Sequence, residues 1–389
     1  MKTVIVIPTY WTWSSERLDG PLEVNFDHPT PLDGESTLPR LLDSLARQER
    51  MNFDVLVITA AVSPQLEAAA SERVEAIMAP FRSRFSIAQF AAGELQLLRE
   101  RLGRQGFDPE TIGLNGYGQI RNNQLLIPHI LEAEVVIALD DDETVAPDYV
   151  RRAAAWVGRE WRGNFIGGVA GPYLDAGGEW LLPEGKHAGN IFADKAAIMN
   201  AAARRLMEPG EALTVSPVAY GGNMVFHRAL FSRVGFDPWI ARGEDIDYVI
   251  NARLQGWSFW FDRELTISHL PPQNYQSPVY ARLRADVIRF VYEREKLARA
   301  GADPAQFDPY PGRFLRDDLE THALAALQEQ ALEADVVRWG LPETIIAQAR
   351  HRAQETPARY AVFAQTWPRL VDILAADRVL RDYWQARMR

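Results

Sequence analysis

The sequence predicts an α/β protein: a mixed, mostly parallel sheet flanked by helices, with a helical C-terminal extension. Three runs rich in β-branched residues lack polar alternation, namely "TVIVIP" (3–8), "FDVLVITA" (53–60) and "EVVIALD" (134–140). Such runs are typical of strands that are buried on both faces of a parallel sheet. Helix-like stretches at 36–48 and at about 63–104 separate the runs, and this alternation indicates an open sheet covered by helices.

The composition excludes several classes of protein. The 389 residues include 42 Lys and Arg against 52 Asp and Glu, and the resulting net charge of −10 does not favour binding to nucleic acid phosphates. There is no Cys, which excludes disulfides, thiolate metal sites and a Cys nucleophile. The N-terminus lacks the apolar core of a secretory signal, and no apolar run approaches the roughly 18 residues of a membrane span. We therefore expect a cytoplasmic protein without a transmembrane segment.

A long interruption follows the first strand. The strand is expected to end near Pro8, Thr9 and Tyr10, and the next helical pattern begins only at Ser36. The segment between them, about 11–35, is rich in Pro, Asp, Glu and Trp. Connections of this length are uncommon; they form lids and binding loops, or they are surface insertions without function.

Four acidic residues follow the third strand: Asp140, Asp141, Asp142 and Glu143. Like charges this close repel each other, so a bound cation would explain their proximity, although a solvated turn could also carry them. In open α/β sheets, ligands bind beyond the carboxyl ends of the strands. Because residues 8–10 also follow a strand, both groups can face one crevice.

The last part of the chain has a helical pattern. It includes the amphipathic run "VYARLRADVIRFVYEREKLARA" at 279–300. We divide the chain into a sheet domain at 1–275, with the insertion at about 11–35, and a helical extension at 276–389. The tail at 367–389 has mixed charges and no basic face, which favours ordinary packing or a contact in a homodimer over a membrane surface.

Three segments carry a pattern that extends beyond the acidic cluster. They are "NGYGQIRNN" (115–123), "ALDDDETVAPDYV" (138–150) and "YGGNMVFHRALFSRVGFDPWIARGEDIDYVINARLQGW" (220–257). Together they resemble the glycosyltransferases of family 2, which are inverting enzymes with the GT-A fold. The second segment resembles the family's Asp-x-Asp element, and the third has Gly-Gly-Asn, "VGFDP" and "GEDIDY" in the family's order and spacing. The resemblance covers roughly residues 1 to 270, without the N-terminal insertion and the C-terminal helices.

This resemblance implies a hexosyltransferase that uses a nucleoside-diphosphate sugar, a divalent cation (Mn²⁺ or Mg²⁺) and a sugar or small-molecule acceptor. The cation stabilises the charge that develops on the leaving diphosphate. By resemblance, Asp142 and His269 coordinate the metal, while Asp140 contacts the ribose or the metal through water. Arg121 is a candidate contact for the diphosphate or the base, with a surface ion pair as the alternative.

The resemblance also implies roles at the acceptor. Asp245 is the candidate general base for the acceptor hydroxyl, and Glu244 is the candidate residue that orients the acceptor. The alternative is that Glu244 or Asp247 only complements the dipole of the helix that follows. The residues assigned to the nucleotide sugar are Pro8, Thr9, Tyr10, Arg121, Asp140, Asp141, Gly222 and Asn223.

One segment departs from the family. The chain has "VITAAVSPQ" at 57–65, where the family has an acidic residue and a Gly-Ser pair that contact the nucleobase. The donor nucleotide therefore cannot be assigned by analogy. Two other functions stay open: a retaining GT-A transferase acting on a small acceptor such as glycerate or phosphoglycerate, and a non-catalytic sugar- or nucleotide-binding protein on the same scaffold.

Overall fold

The computed structural model describes residues 1–17, 26–49, 52–185, 188–240, 242–272 and 278–388. The strands in these residues are β1 (Thr3–Thr12), β2 (Thr30–Pro31), β3 (Phe53–Ala61), β4 (Ile87–Phe90), β5 (Val135–Ala138), β6 (Glu143–Val145), β7 (Glu160–Trp161), β8 (Asn164–Phe165), β9 (Gly168–Ala170), β10 (Tyr173–Leu174), β11 (Thr214–Val215), β12 (Met224–His227), β13 (Phe259–Phe261) and β14 (Ile267–His269).

The helices in the same residues are α1 (Leu38–Leu45), α2 (Glu67–Met78), α3 (Ala92–Arg104), α4 (Tyr117–Ile130), α5 (Tyr149–Ala153), α6 (Lys195–Met207), α7 (Arg228–Phe231), α8 (Glu244–Leu254), α9 (Val279–Ala300), α10 (Leu319–Gln330), α11 (Glu333–Trp339), α12 (Pro342–Ala376) and α13 (Arg378–Arg387).

The central sheet has the strand order β11-β13-β9-β12-β5-β1-β3-β4, and β2 pairs with the end of β1. Strand β1 runs parallel to both β3 and β5, and its residues Val4 to Ile7 are fully buried, as the unbroken β-branched run predicts. Strand β12 is antiparallel to β5 and β9, so the sheet is mixed but mostly parallel. The predicted fold class, including the helical C-terminal region, is confirmed.

A smaller sheet of β10, β14 and β6 lies just past the end of β5. Its antiparallel pair β6–β14 places Glu143 opposite His269. The amide of Leu270 also donates to the carbonyl of Asp142 at 2.8 Å. Through this pairing, a residue more than a hundred positions further along the chain is held beside the acidic turn.

The N-terminal insertion is partly an extension of the sheet. Strand β1 continues to Thr12, beyond the predicted strand end, and Trp11 pairs with Thr30 of β2. The ring of Phe26 packs against Tyr10 and Tyr117, with ring centroids 4.5 and 5.5 Å away. The described ends of the insertion are thus tied to β1 and α4, whereas residues 18–25 lie outside the described residues.

The C-terminal helices pack on the sheet domain. Helix α9 lies along α12, and α12 contacts α4, which in turn contacts β1, β3 and β5. Trp367 of α12 donates its indole N–H to the carbonyl of Phe231 at 2.9 Å. Its ring packs against Gly235 so closely that a Cβ on this glycine would lie 2.7 Å from a ring atom. The ring of Trp384 stacks on Phe90 of β4. In the described part of the chain, no helix is both long and apolar enough to span a membrane.

Candidate active site

A cavity of about 520 Å³ opens where the acidic turn follows β5. Its walls come from distant segments: the end of β1, the acidic turn, the start of α8 and helix α9. Eight of the twelve site residues expected from the sequence line it, namely Tyr10, Arg121, Asp140, Asp141, Asp142, Glu244, Asp245 and His269. The other four, Pro8, Thr9, Gly222 and Asn223, lie behind the wall.

The aspartates of the acidic turn have separate partners. Asp140 accepts a hydrogen bond from Nη2 of Arg121 at 2.8 Å, and Asp141 accepts one from Oγ1 of Thr9 at 2.6 Å. Burial and the neighbouring Asp142 carboxylate raise the pKa of Asp141 well above its ordinary value. The turn is therefore a set of buried or partly buried, individually bonded carboxylates and not a solvated loop, and Thr9 supports it through Asp141.

Asp142 and His269 form the pair that could hold a metal ion. Oδ2 of Asp142 lies 3.3 Å from Nε2 of His269, and both side chains face the cavity. Burial disfavours the imidazolium, but the hydrogen bond to Asp142 and the charges of Asp142 and Asp140 together outweigh burial and raise the pKa of His269. Arg40 fixes the backbone on both sides, because its Nη2 donates to the carbonyls of Leu270 at 2.7 Å and Asp142 at 3.3 Å.

This pair fits a divalent cation whose remaining ligands come from a substrate. The described residues contain no group of three or more His, Asp or Glu side chains placed to hold a metal ion, so these residues alone would not complete a coordination sphere. One carboxylate and one imidazole beside an open cavity leave positions for water and diphosphate oxygens. This mixed oxygen and nitrogen donor set suits Mn²⁺, which the resemblance also implies.

Arg121 joins the acidic turn to helix α8. Its Nη2 pairs with Asp140, its Nε donates to Oε1 of Glu244 at 3.1 Å, and its Nη1 donates to Gln124 at 3.3 Å. The side chain is only 4% exposed, so these are buried ion pairs and not the surface ion pair considered from the sequence. Arg121 thereby holds the two acidic sites in one fixed relation.

The start of α8 depends on close packing. Gly243 precedes the helix with a φ of 70°, and a Cβ at this position would lie 1.4 Å from Nη1 of Arg289. The positive φ and the close approach of Arg289 each require glycine at this position. Asp245 follows with its carboxylate at the cavity, where Oδ2 accepts from the amide of Gly221 at 3.1 Å and Oδ1 accepts from the amide of Ile246 at 2.8 Å.

The other acidic residues of this helix differ from Asp245. Burial raises the pKa of Glu244 to about 7, although the guanidinium of Arg121 opposes the shift. Asp247 is fully buried on the side of the C-terminal helices and bonds to Lys296 at 2.6 Å. The N-cap residue Gly243 has no side chain, but Oδ1 of Asp245 accepts from an amide of the first turn, where all three acidic residues also complement the helix dipole.

Gly222 and Asn223 support the site from behind. The amide of Gly222 donates to the hydroxyl of Tyr173 at 2.6 Å, and a Cβ here would lie 1.9 Å from Oε1 of Glu143. Asn223 is fully buried; its Oδ1 accepts from Tyr149 at 2.7 Å and its Nδ2 donates to the carbonyl of Leu265 at 2.7 Å. Both ends of the Asn223 side-chain amide are therefore hydrogen-bonded to other residues of the protein.

We expect Gly222→Ala to lower the free energy of unfolding by about 1–3 kcal/mol, because the new methyl must displace the buried carboxylate of Glu143. Urea unfolding monitored by Trp fluorescence would measure the change. Gly93→Ala is the matched control, since its Cβ would meet nothing within 4 Å and alanine suits its helix. Equal stability of the two variants would contradict the tight packing at Gly222.

Sequence reasoning missed part of the cavity wall. Helix α9 and the segment after it contribute Arg289 and Tyr310, and helix α6 contributes Lys195. The apolar segment at 180–183 also lines the cavity. It is tied to α6 because the backbone N–H and C=O of Leu182 both bond to the amide of Asn200 at 2.8 Å. No motif marks these residues, since their contribution depends on how distant helices pack.

The chain was compared with known proteins. No protein-family model and no curated protein matches it. Among solved structures it is similar to the mannosyltransferase PcManGT from Pyrobaculum calidifontis in complex with GDP-Man and Mn²⁺, with 15% identity, a TM-score of 0.48 and coverage of 96% of this chain and 86% of that one.

Two further solved structures are similar at lower TM-scores. S. aureus TarS has 15% identity and a TM-score of 0.39, and the match covers 95% of this chain and 55% of TarS. GalNAc-T7, solved with UDP, GalNAc and Mn²⁺, has 12% identity and a TM-score of 0.42, and the match covers 87% of this chain and 58% of GalNAc-T7. The chain thus spans little more than half the length of these two proteins.

Proposed function

We propose that the protein is a metal-dependent glycosyltransferase that moves a hexosyl group from a nucleoside-diphosphate sugar to an acceptor hydroxyl with inversion. The observation that carries this proposal is the shared cavity. Asp142 and His269 lie at one acidic site, Asp245 lies at the other, and Arg121 connects the two through Asp140 and Glu244.

The donor would bind beside the acidic turn. Asp142 and His269 would hold a divalent cation, which when bound supplies positive charge to the leaving diphosphate. Asp140 lies on the same wall and is fixed by Arg121, so it is oriented for the sugar or ribose hydroxyls. The ring of Tyr173 lies 5.1 Å from that of His269 and adds an apolar surface to this side of the cavity.

The acceptor would bind at the start of α8. Each carboxylate oxygen of Asp245 accepts one backbone N–H, which fixes its orientation and leaves a second lone pair for a hydroxyl proton. As the acceptor oxygen bonds to the anomeric carbon, its proton passes to Asp245, and the electron pair of the breaking anomeric C–O bond leaves with the nucleoside diphosphate. Glu244, held by Arg121, would orient the acceptor from the neighbouring position.

The donor side is tested by nucleotide binding. We expect Asp142→Ala and His269→Ala each to weaken the Mn²⁺-dependent binding of GDP or UDP by at least about tenfold, or 1.4 kcal/mol. Titration calorimetry with each nucleotide, with Mn²⁺ and with EDTA in its place, would measure this. Both nucleotides are needed because the sequence assigns neither.

Asp382→Ala is the control for this experiment, because it removes an exposed carboxylate of α13 that does not line the cavity. Its affinity should equal that of the wild type. If both variants, and the wild type in EDTA, bind the nucleotide as tightly as the wild type does in Mn²⁺, the metal assignment is wrong. The absence of any nucleotide binding by the wild type would remove the proposed function.

A further inference from the structure

Three basic side chains line the same cavity as Gly243 and Glu244. They are Lys195 of α6, Arg242 just before α8 and Arg289 of α9. We refer to these three residues as the basic corner. The roles proposed above use none of these three residues.

Arg289 is buried and has spare hydrogen-bonding capacity. Its side chain is 4% exposed, and its Nη2 donates to the hydroxyl of Tyr310 at 2.8 Å. Its Nε is buried, has no hydrogen-bond partner within the described residues and lies 3.7 Å from Oε1 of the buried Glu293. Its Nη1 lies beside Gly243, another residue of the cavity wall, because a Cβ on Gly243 would come within 1.4 Å of it. A guanidinium has five N–H donors, so a ligand in the cavity that accepts hydrogen bonds could bond to this Nη1.

The ion pairs of the basic corner differ in length. Lys195 pairs with Asp286 at 2.5 Å, and Arg242 pairs with Asp27 at 3.2 Å. The carboxylates near Arg289 lie farther away: Asp286 is 3.8 Å from its Nη2 and Glu293 is 3.7 Å from its Nε. Burial raises the pKa of Glu293, which disfavours the charged form of this partner. A buried cation without a close ion pair favours an anionic ligand.

Glu244 and Asp245 also line this cavity, but they follow Gly243 in the chain, whereas Arg242 precedes it. The pair Arg121–Glu244 is already formed, and Asp245 is the proposed base. Arg242 and Asp245 are three residues apart, so their Cα atoms are separated by at most about 11 Å. A small molecule can therefore reach both the basic corner and Asp245.

We propose that the basic corner binds a carboxylate or phosphate group of the acceptor and thereby places the acceptor hydroxyl at Asp245. This inference rests on the proposed function and names its acceptor class, a small hydroxylated anion. It also gives the C-terminal extension a role in specificity, because Arg289 and Tyr310 belong to that extension. The planar guanidinium of Arg289 suits the oxygens of either anion.

The test uses three probes that share a carbon skeleton: glycerol, glycerate and glycerol 3-phosphate. Each is titrated by calorimetry into the full-length protein that is already saturated with Mn²⁺ and the nucleoside diphosphate it binds, so that the diphosphate site is filled. We expect the two anions to bind at least about tenfold more tightly than glycerol. Lys195→Met and Arg242→Met should each remove about tenfold of this preference and leave nucleotide affinity unchanged.

Arg204→Met is the matched control, because Arg204 is an exposed residue of α6 that does not line the cavity. Lys195 and Arg242 are chosen over Arg289 because their side chains are 24% and 28% exposed, so their loss should not prevent folding. Salt must be kept constant in all titrations, since screening weakens any anion site.

Three results would overturn the inference. The first is glycerol binding as tightly as the anions while the nucleotide still binds, a result that leaves the proposed function intact. The second is an anion preference that survives in both Lys195→Met and Arg242→Met, which would place the anion elsewhere; loss of this preference in Asp142→Ala would then assign the anion to the donor side. Failure of the wild type to bind either nucleotide would remove the proposed function and this inference together.

Discussion

We expect Asp245→Asn to lower turnover by roughly two to four orders of magnitude while leaving nucleotide affinity nearly unchanged. The asparagine oxygen can still accept from the amide of Gly221, as Oδ2 of Asp245 does at 3.1 Å, whereas its NH2 group cannot accept from the amide of Ile246, so one of the two bonds that orient the side chain should persist. The amide has no basic lone pair, however, and cannot take the acceptor proton. Steady-state rates with donor and acceptor varied separately would measure the loss, and calorimetry would measure nucleotide affinity.

Asp335→Asn is the control for Asp245→Asn. Asp335 also lies in the first turn of a helix, α11, but it does not line the cavity, so this variant removes a similar dipole interaction without touching the site. Its turnover should match that of the wild type. Near-normal turnover in Asp245→Asn would end the proposal of a general base. A product with retained anomeric configuration, determined by NMR, would end the proposal of inversion even if turnover falls.

The sequence predicted the central strands because burial on both faces leaves a local signature. The runs at 3–8, 53–60 and 134–140 lie in β1, β3 and β5, the adjacent strands at the middle of the sheet. Strand β1 extends beyond the predicted end because Trp11 pairs with Ala61 of β3 and because Trp11 and Thr12 pair with β2, which belongs to the N-terminal insertion. Strand ends that depend on a distant partner have no such local signature.

The candidate site was predictable to the extent that it follows from strand ends and motif spacing. Asp142 and Asp245 do line one cavity, as their motifs suggested. The motifs could not show which neighbouring side chains face inward. Thr9 and Asn223 belong to them, but both side chains are fully buried and bonded within the chain.

The contribution of α9 could not be predicted for a different reason. Its amphipathic pattern identifies a buried face but not the element against which that face packs. The structure shows that the face carries charged residues as well as apolar ones, including Arg289 at the cavity and Lys296 beneath α8. Lys296, which the pattern would assign to ordinary helix packing, therefore bonds to the helix that carries the proposed base.

Lys296 holds α8 through buried charges. It is 5% exposed, and its Nζ lies 2.6 Å from Oδ1 of Asp247, 2.9 Å from Oδ2 of Asp237 and 3.0 Å from Oδ1 of Asn251. The ring of Tyr360 lies 4.2 Å from the same ammonium group. Asp247 is two residues beyond Asp245 in α8, and Asp237 lies in the loop before this helix. One cation thus fixes the helix that carries the proposed base.

We expect Lys296→Met to lower the free energy of unfolding by about 3–5 kcal/mol near neutral pH, because two buried carboxylates lose their cation. Burial already raises the pKa of Asp247 to about 6, with Lys296 opposing the shift, so the pKa should rise further in the variant. A carboxyl whose folded pKa lies above its unfolded value destabilises the protein as pH rises between the two. The loss should therefore be small near pH 4 and largest above pH 6.

Urea unfolding of wild type and Lys296→Met at pH 5 and pH 8 would measure this pH dependence. Arg299→Met is the matched control: Arg299 is on the same helix and pairs with Glu295 at 2.8 Å, but its side chain is 42% exposed, so its loss should cost no more than about 1 kcal/mol at either pH. Adding Asp247→Asn to Lys296→Met should recover part of the stability at pH 8, because it removes one of the unpaired charges. If Lys296→Met is as stable as Arg299→Met at pH 8, the buried cation does not hold α8, and the C-terminal extension would have to support the proposed base through apolar packing alone.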